Sequence, residues 1–266
     1  MNILVCVKQV PDTTEIKIDP VTNTLIRAGV PSIVNTFDSY ALEQAVRLKE
    51  KYGGAVTVIC MGPPQAKAAI RECLSKGADR GYLISGKEFS GSDTLATSYI
   101  LARTVARLEK EWGAFDLILC GKQAIDGDTG QVGPEMAEHM KIAQVTFVSE
   151  VLSVEASAVT VRRDNEDREE IVQAYLPAVV TVVKSAAEPR FPSFASIIDT
   201  WDAEIPVITP ADIETDGERI GLNGSPTKVK KTFTPQFVKK GVVIREKSPK
   251  DSALKLLSLM SDKALV

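Results

Sequence analysis

"DLILCGKQAIDGDTGQVGP", residues 116–134, changes character at Gly121. The first part is a short apolar run with the composition of a buried strand, and "EMAEHMKIAQ" (135–144) has the pattern of a helix. Between them, residues 121–134 hold four glycines, two aspartates and one proline, and almost nothing able to fill a core. Such a stretch between a strand and its helix is either a long turn or a backbone shaped to hold something. Three more runs resemble 116–121: "NILVCV" (2–7), "AVTVICM" (55–61) and "GYLIS" (81–85). Helical patterns separate them, "DSYALEQAVRLKEKYG" (38–53), "PQAKAAIRECLSKGA" (64–78) and "TLATSYILARTVARLEKEWG" (94–113). In the first, Ala41, Leu42, Ala45, Val46 and Leu48 share a face, and Gly53-Gly54 stops it. Strands alternating with helices of this length predict a parallel sheet covered on both faces, with ligands outside the carboxyl ends of its strands.

The texture changes after residue 145. "VTFVSEVLSVEASAVTVRRDNEDREEIVQAYLPAVVTVV" (145–183) alternates apolar and polar residues about a charged turn, which predicts antiparallel strands. Its last segment, "PAVVTVV", is apolar enough to return to the buried sheet. From residue 225 to 250 basic residues outnumber acidic ones eight to one, and periodic signals fade. An extended arm ending in the short helix "DSALKLLSLMS" (251–261) is expected, giving units at 1–225 and 226–266.

The 266 residues can bury a substantial core, and 44% hydrophobic with 25% charged residues is ordinary globular composition. A net charge of −3 provides no basic field for nucleic acid. No apolar run is long enough to span a bilayer, and the chain opens on a strand pattern rather than a signal peptide. Cys6, Cys60, Cys73 and Cys120 form no CxxC pair. Buried reduced thiols in a cytoplasmic protein are expected, without zinc site or disulfide framework.

Side-chain catalysis finds little support. His139 is the only histidine, so a Ser-His-Asp or Cys-His system would have to use it, and its helical setting suits a solvated or capping role. A calcium loop starting at Asp126 would need glycine where Gln131 stands and glutamate where Ala137 stands. A phosphate loop survives these tests. Gly127, Gly130 and Gly133 let amides turn toward an anion, and Pro134 suits the first helical position. Asp126 and Asp128 would repel phosphate, so they should hold the loop by accepting backbone N–H bonds, or accept bonds from a ribose or amide. No GxGxxG follows the first strand, so a Rossmann fingerprint is absent.

"LVCVKQVPDT", "NTFDSYALEQAVRLKE", "MGPPQA", "GADRGYLIS", "GKQAIDGDTGQVGP" and "LPAVVTVVKSAAEPRFPSFASII" follow one another through residues 1 to about 200. In that order they resemble the beta (small) subunit of an electron-transfer flavoprotein. The resemblance implies an α/β fold of the adenine-nucleotide-binding, HUP-like type: a parallel sheet with helices on both faces, added antiparallel strands and a C-terminal arm. It also implies a heterodimer with an alpha subunit that carries its own FAD. "VTVICMGPPQA", "GSDTLATSY" and "DGDTGQVGP" resemble the electron-bifurcating branch, whose beta subunit holds a second FAD that exchanges hydride with NAD(H), with ferredoxin as one electron partner. In the simpler branch the same pocket holds AMP. A non-redox adenine-nucleotide binder of related architecture is the alternative of another class.

The resemblance carries over a cofactor site made of Cys6, Asn35, Phe37, Asp38 and Met61 around the adenosine. Asp93, Thr94 and Thr97 would meet the pyrophosphate or ribityl chain, although Ser92-Asp93 also reads as a plain helix cap. Gly121, Lys122, Gln123, Ala124, Ile125, Asp126, Gly127, Asp128, Thr129, Gly130, Gln131 and Val132 would wrap the phosphates, with the amides from Gly127 to Val132 as donors. Residues 188–204 resemble the family's recognition loop for a dehydrogenase. Arg190, Phe194 and Trp201 are its expected contacts, with Phe194 where the family has a leucine anchor. Family members that serve acyl-CoA dehydrogenases follow the anchor with a basic helix, whereas here Asp199, Asp202 and Glu204 reverse the charge. This departure favours a flavin-dependent dehydrogenase of a 2-hydroxy acid such as lactate, with acyl-CoA dehydrogenase second. The basic arm, with Phe233, Phe237, Val242, Val243 and Ile244 among its lysines, is expected to dock on the alpha subunit.

Overall fold

The computed structural model describes residues 1–12, 31–184, 187–228, 230 and 241–265. The apolar runs become parallel strands. β1 (Asn2–Val7) is followed by two short strands, β2 (Gln9–Pro11) and β3 (Ser32–Val34), which pair antiparallel with each other. Next come α1 (Thr36–Tyr52), β4 (Ala55–Met61), α2 (Lys67–Ser75), β5 (Arg80–Ile84), α3 (Thr94–Trp112), β6 (Leu117–Gly121) and α4 (Val132–Met140). The remaining elements are β7 (Ala143–Val154), β8 (Ala158–Asn165), β9 (Arg168–Tyr175), β10 (Ala178–Val182), α5 (Phe194–Trp201), β11 (Val207–Ile208) and α6 (Pro249–Asp262).

One sheet of nine strands runs β11-β5-β4-β1-β6-β10-β7-β8-β9. It is parallel from β11 to β7, and β8 and β9 extend it antiparallel. This is the expected α/β architecture, and "PAVVTVV" does return to the interior, as β10 between β6 and β7. The pattern after residue 145 is antiparallel only in part. The start of β7 pairs parallel with β10 and its later residues pair antiparallel with β8. Alternation along a strand records two faces but not the direction of a neighbour.

Period-two alternation sends Ile3, Val5 and Val7 of β1 into a core shared with α1 and α2, and Leu4 and Cys6 into a second core with α3 and α4. The free cysteines Cys6, Cys60, Cys73 and Cys120 are all buried, and burial pushes the Cys60 thiol up to about 12. β1 lies between β4 and β6, so the chain winds outward from β1 first through β4 and β5, then through β6 and β10. The crevice between β1 and β6, at their carboxyl ends, is the topological switch point. No helix among the described residues is long and apolar enough to cross a membrane.

Candidate functional site

Four segments converge at the switch point. Asn35, fully buried just before α1, donates its amide to the Gln123 carbonyl at 2.9 Å and accepts from the Ile125 N–H at 3.0 Å. Asp38, in the first turn of α1, accepts from the Lys8 N–H at 2.7 Å and from the Gly121 N–H at 3.1 Å. Burial pushes the Asp38 carboxyl up to about 7, because these backbone donors only partly replace lost water. The start of α1 is thus the bracket that holds β1's exit and β6's exit together. Lys8, not anticipated as a site residue, lies at that exit and donates to Asp126 at 2.7 Å. Its signal was its position, one residue beyond the carboxyl end of β1.

The loop's glycines have different physical reasons. A Cβ at Gly121 would stand 2.2 Å from Asp38 Oδ1 and 2.7 Å from the Phe37 backbone, so α1 can pack there only on glycine. A Cβ at Gly133 would meet Thr181 Cγ2 at 2.6 Å, so this glycine lets α4 approach the sheet. Gly130 has φ +64°, a left-handed conformation. Gly127 has open space around its Cβ position, and nothing among the described residues crowds it.

Three expectations are corrected in detail. Asp126 and Asp128 stabilise the loop, but through side chains: Asp126 with Lys8, Asp128 by accepting from Gln123 Nε2 at 2.7 Å. The amides of Gly127 and Asp128 are not free donors, since both turn inward to the Ala124 carbonyl, at 3.3 and 2.9 Å. The helix begins at Val132, so Pro134 is its third residue rather than its first, still within the turn whose N–H groups lack intrahelical acceptors. Among the described residues, the amides of Thr129, Gly130, Gln131 and Val132 have no protein acceptor.

The remaining site residues flank this loop. Thr94, first in α3, donates from its hydroxyl toward Gln131 at 3.1 Å and Glu135 at 3.3 Å, joining the two helix starts. Asp93 is the cap of α3: one carboxylate oxygen accepts from Ala96 N–H at 3.0 Å, the other from Thr227 N–H at 2.9 Å. Burial alone would raise the Asp93 pKa, but these donors outweigh it and hold it low. Thr97 lies one turn into α3, and Met61 closes β4 against the α3–α4 core. Cys6 is buried beneath, its Sγ 3.8 Å from Met136 Sδ. His139 faces away, edge-on to Tyr99 and 3.4 Å from Arg219, and burial followed by the Arg219 charge lowers its pKa.

The segment from Glu188 to Trp201 lies elsewhere, its start held on α1 and its helix α5 against α2. Phe194 is 89% exposed and Trp201 72% exposed, and Phe191 and Ile198, not anticipated, are exposed beside them. Arg190 does not project outward as a partner contact: its guanidinium turns back onto Glu43 and Glu50 of α1. The basic arm is described only in part. Phe233, Phe237, Lys231, Lys239 and Lys240 lie outside the described residues, while Val242, Val243 and Leu254, Leu256 and Leu257 of α6 are exposed.

The fold is a doubly wound α/β sheet with a glycine-rich loop at its switch point, where helix-start amides are a kind of group that can donate to an anion. The electron transfer flavoprotein domain model matches residues 22–213. The chain is 47% identical over 262 residues to the electron transfer flavoprotein subunit beta of Clostridium acetobutylicum, covering 98% of both chains. It is 48% identical to that of Megasphaera elsdenii, covering 96% of this chain and 95% of the other. A third relative, 43% identical over the full length of both chains, is the caffeyl-CoA reductase-Etf complex subunit CarD of Acetobacterium woodii. The chain belongs to the electron transfer flavoprotein family, as a counterpart of its beta subunits.

Proposed function

We propose that this chain is the FAD-binding beta subunit of an electron-bifurcating flavoprotein. The observation that carries the reading is the run of amides from Thr129 to Val132, without protein acceptors among the described residues, at the start of α4. Backbone donors at a helix start stabilise a pyrophosphate through hydrogen bonds and the helix dipole. Asn35 and Asp38 hold the loop's first half, so its donors are preset before a ligand arrives. The open space at Gly127 supports an approach for the phosphates, and Cys6, Phe37 and Met61 would meet the adenosine. Thr94 and Thr97 would meet the ribityl chain, while Asp93 orders α3. Bound there, FAD would supply hydride exchange with NAD(H), passing electrons to ferredoxin and, through the alpha subunit's FAD, to a flavin dehydrogenase. The chain's own part is to bind, orient and insulate.

AMP binding by a non-bifurcating member is the second reading, since the same amides would serve a single phosphate. Two partner classes each have support. The acidic residues Asp199, Asp202 and Glu204 favour a 2-hydroxy-acid dehydrogenase, and the name of the Acetobacterium relative favours an acyl-CoA-type enzyme. Residues 226–266 act as an arm on the alpha subunit, consistent with the exposure of α6, and the complex works in the cytoplasm. The test is to purify the heterodimer and count cofactors by absorbance and nucleotide analysis. Two FAD per heterodimer, with NADH-dependent ferredoxin reduction, is the expected result. One FAD and one AMP would replace the proposal with the second reading.

A further inference from the structure

The exposed segment is tied at both ends, and between them one side of α5 lies against α2. Phe194, Ile198 and Trp201, at intervals of four and three residues, share one face of α5, and with Phe191 just before the helix they are 89%, 74%, 72% and 95% exposed. α5 has eight residues, caps itself with Ser193 and buries none of its side chains. A helix this short has little stability of its own, so its direction is set by α2 beside it and by the residues that hold its ends. At the far end Ile205 is buried in the α1–α2 core. At the near end the Tyr40 hydroxyl donates to Glu188 at 2.8 Å. Arg190 donates its backbone N–H and Nε to Glu43 Oε2, at 3.1 and 2.9 Å, and its Nη2 to Glu43 Oε1 and Glu50 Oε2, each at 3.1 Å. Glu43 is 3% exposed and also accepts from Arg47 at 2.7 Å. A buried ion pair adds little to stability compared with an apolar replacement, so its best use is to fix geometry. A planar guanidinium held by two carboxylates, one of which also accepts the same residue's backbone N–H, does that.

We propose that Arg190 is a positioning residue for partner docking: clamped to Glu43 and Glu50, it fixes the entry into α5 against α2, so that Phe194, Ile198 and Trp201 of the helix and Phe191 before it meet a dehydrogenase together. The inference rests on the reading that residues 188–204 engage a dehydrogenase. Presetting removes part of the ordering cost that docking would otherwise carry. Arg190→Lys keeps the charge but loses the planar fork, and Arg190→Gln loses both.

The experiment uses the heterodimer, with a flavin-dependent 2-hydroxy-acid dehydrogenase and an acyl-CoA dehydrogenase as alternative electron partners. Both Arg190 variants should raise KM for the coupling dehydrogenase roughly tenfold, with kcat at saturation and flavin content unchanged. Amide exchange in α5 should become faster. If Arg190→Gln does not fold, Glu50→Gln removes only the exposed half of the clamp and should raise KM to a lesser extent. An unchanged KM in the Arg190 variants, with a raised KM in Phe194→Ala, overturns the clamp and leaves the docking reading standing. Unchanged KM in all of them removes the docking reading, and the clamp with it. Should neither dehydrogenase couple, the exchange rates decide, and unaltered α5 exchange overturns the proposal.

Discussion

The Asp38 carboxylate sits where a side chain on Gly121 would have to be. Its Oδ1 accepts the Gly121 N–H at 3.1 Å and lies 2.2 Å from the position of a Cβ at that residue. This contact fixes the first turn of α1 on the end of β6, and through Asn35 it fixes the start of the loop. Replacing Gly121 by alanine should force α1 and β6 apart at a site where the nearest atoms include backbone. We expect a loss of about 1–3 kcal/mol, read by urea unfolding, because overpacking rigid surroundings costs that much. Unchanged stability would mean that the bracket yields easily.

Asp38 also sets a pH dependence. Its folded pKa, about 7, lies above the ordinary carboxylate value of 3.8 because burial disfavours the charge. The folded state therefore holds a proton that the unfolded state releases. This contribution to stability is fully present below the unfolded pKa and is lost as pH rises through about 7. The slope should approach about 1.4 kcal/mol per pH unit at most. Asp38→Asn should flatten that slope in unfolding curves measured across the same range, and an equal slope in both proteins would assign it to other groups.

Gly130→Val tests the loop as a ligand cradle. The substituted Cβ would find space, with only the Lys122 carbonyl at 3.5 Å, so the effect comes from the backbone. A β-branched residue at φ +64° costs roughly 1–2 kcal/mol and turns the neighbouring amides. The heterodimer should lose the flavin of this subunit and retain that of the alpha subunit, as counted by absorbance. Retention of both would show that the amides of residues 129–132 do not hold the cofactor.

The arm yields a separable prediction. Leu254 and Leu257 are three residues apart on α6 and each more than half exposed, so aspartate there should not disturb this chain's fold. If the arm docks on the alpha subunit, the double substitution should raise the heterodimer Kd roughly tenfold or more. Deleting residues 232–266 should do the same. An unaltered Kd in both would leave the arm solvated.

The sequence by itself determined the sheet, its covering helices and the place of the loop, because period and punctuation are local properties. Short apolar runs alternating with helical patterns predicted a sheet covered on both faces, and "GKQAIDGDTGQVGP" marked the loop before any neighbour was known. It could not say why each glycine was needed. Gly121 and Gly133 answer to Asp38 and Thr181, which lie far away in the chain, while Gly130 answers to its own backbone. Nor could it separate free amides from those closed onto Ala124, or reveal Lys8 beside Asp126. Arg190 makes the same point from the other side of α1: its motif marked a partner contact, and the fold turned it inward to Glu43 and Glu50. Which groups pair depends on the approach of segments distant in sequence. Burial then decides which charges must find each other, and only the tertiary structure supplies both.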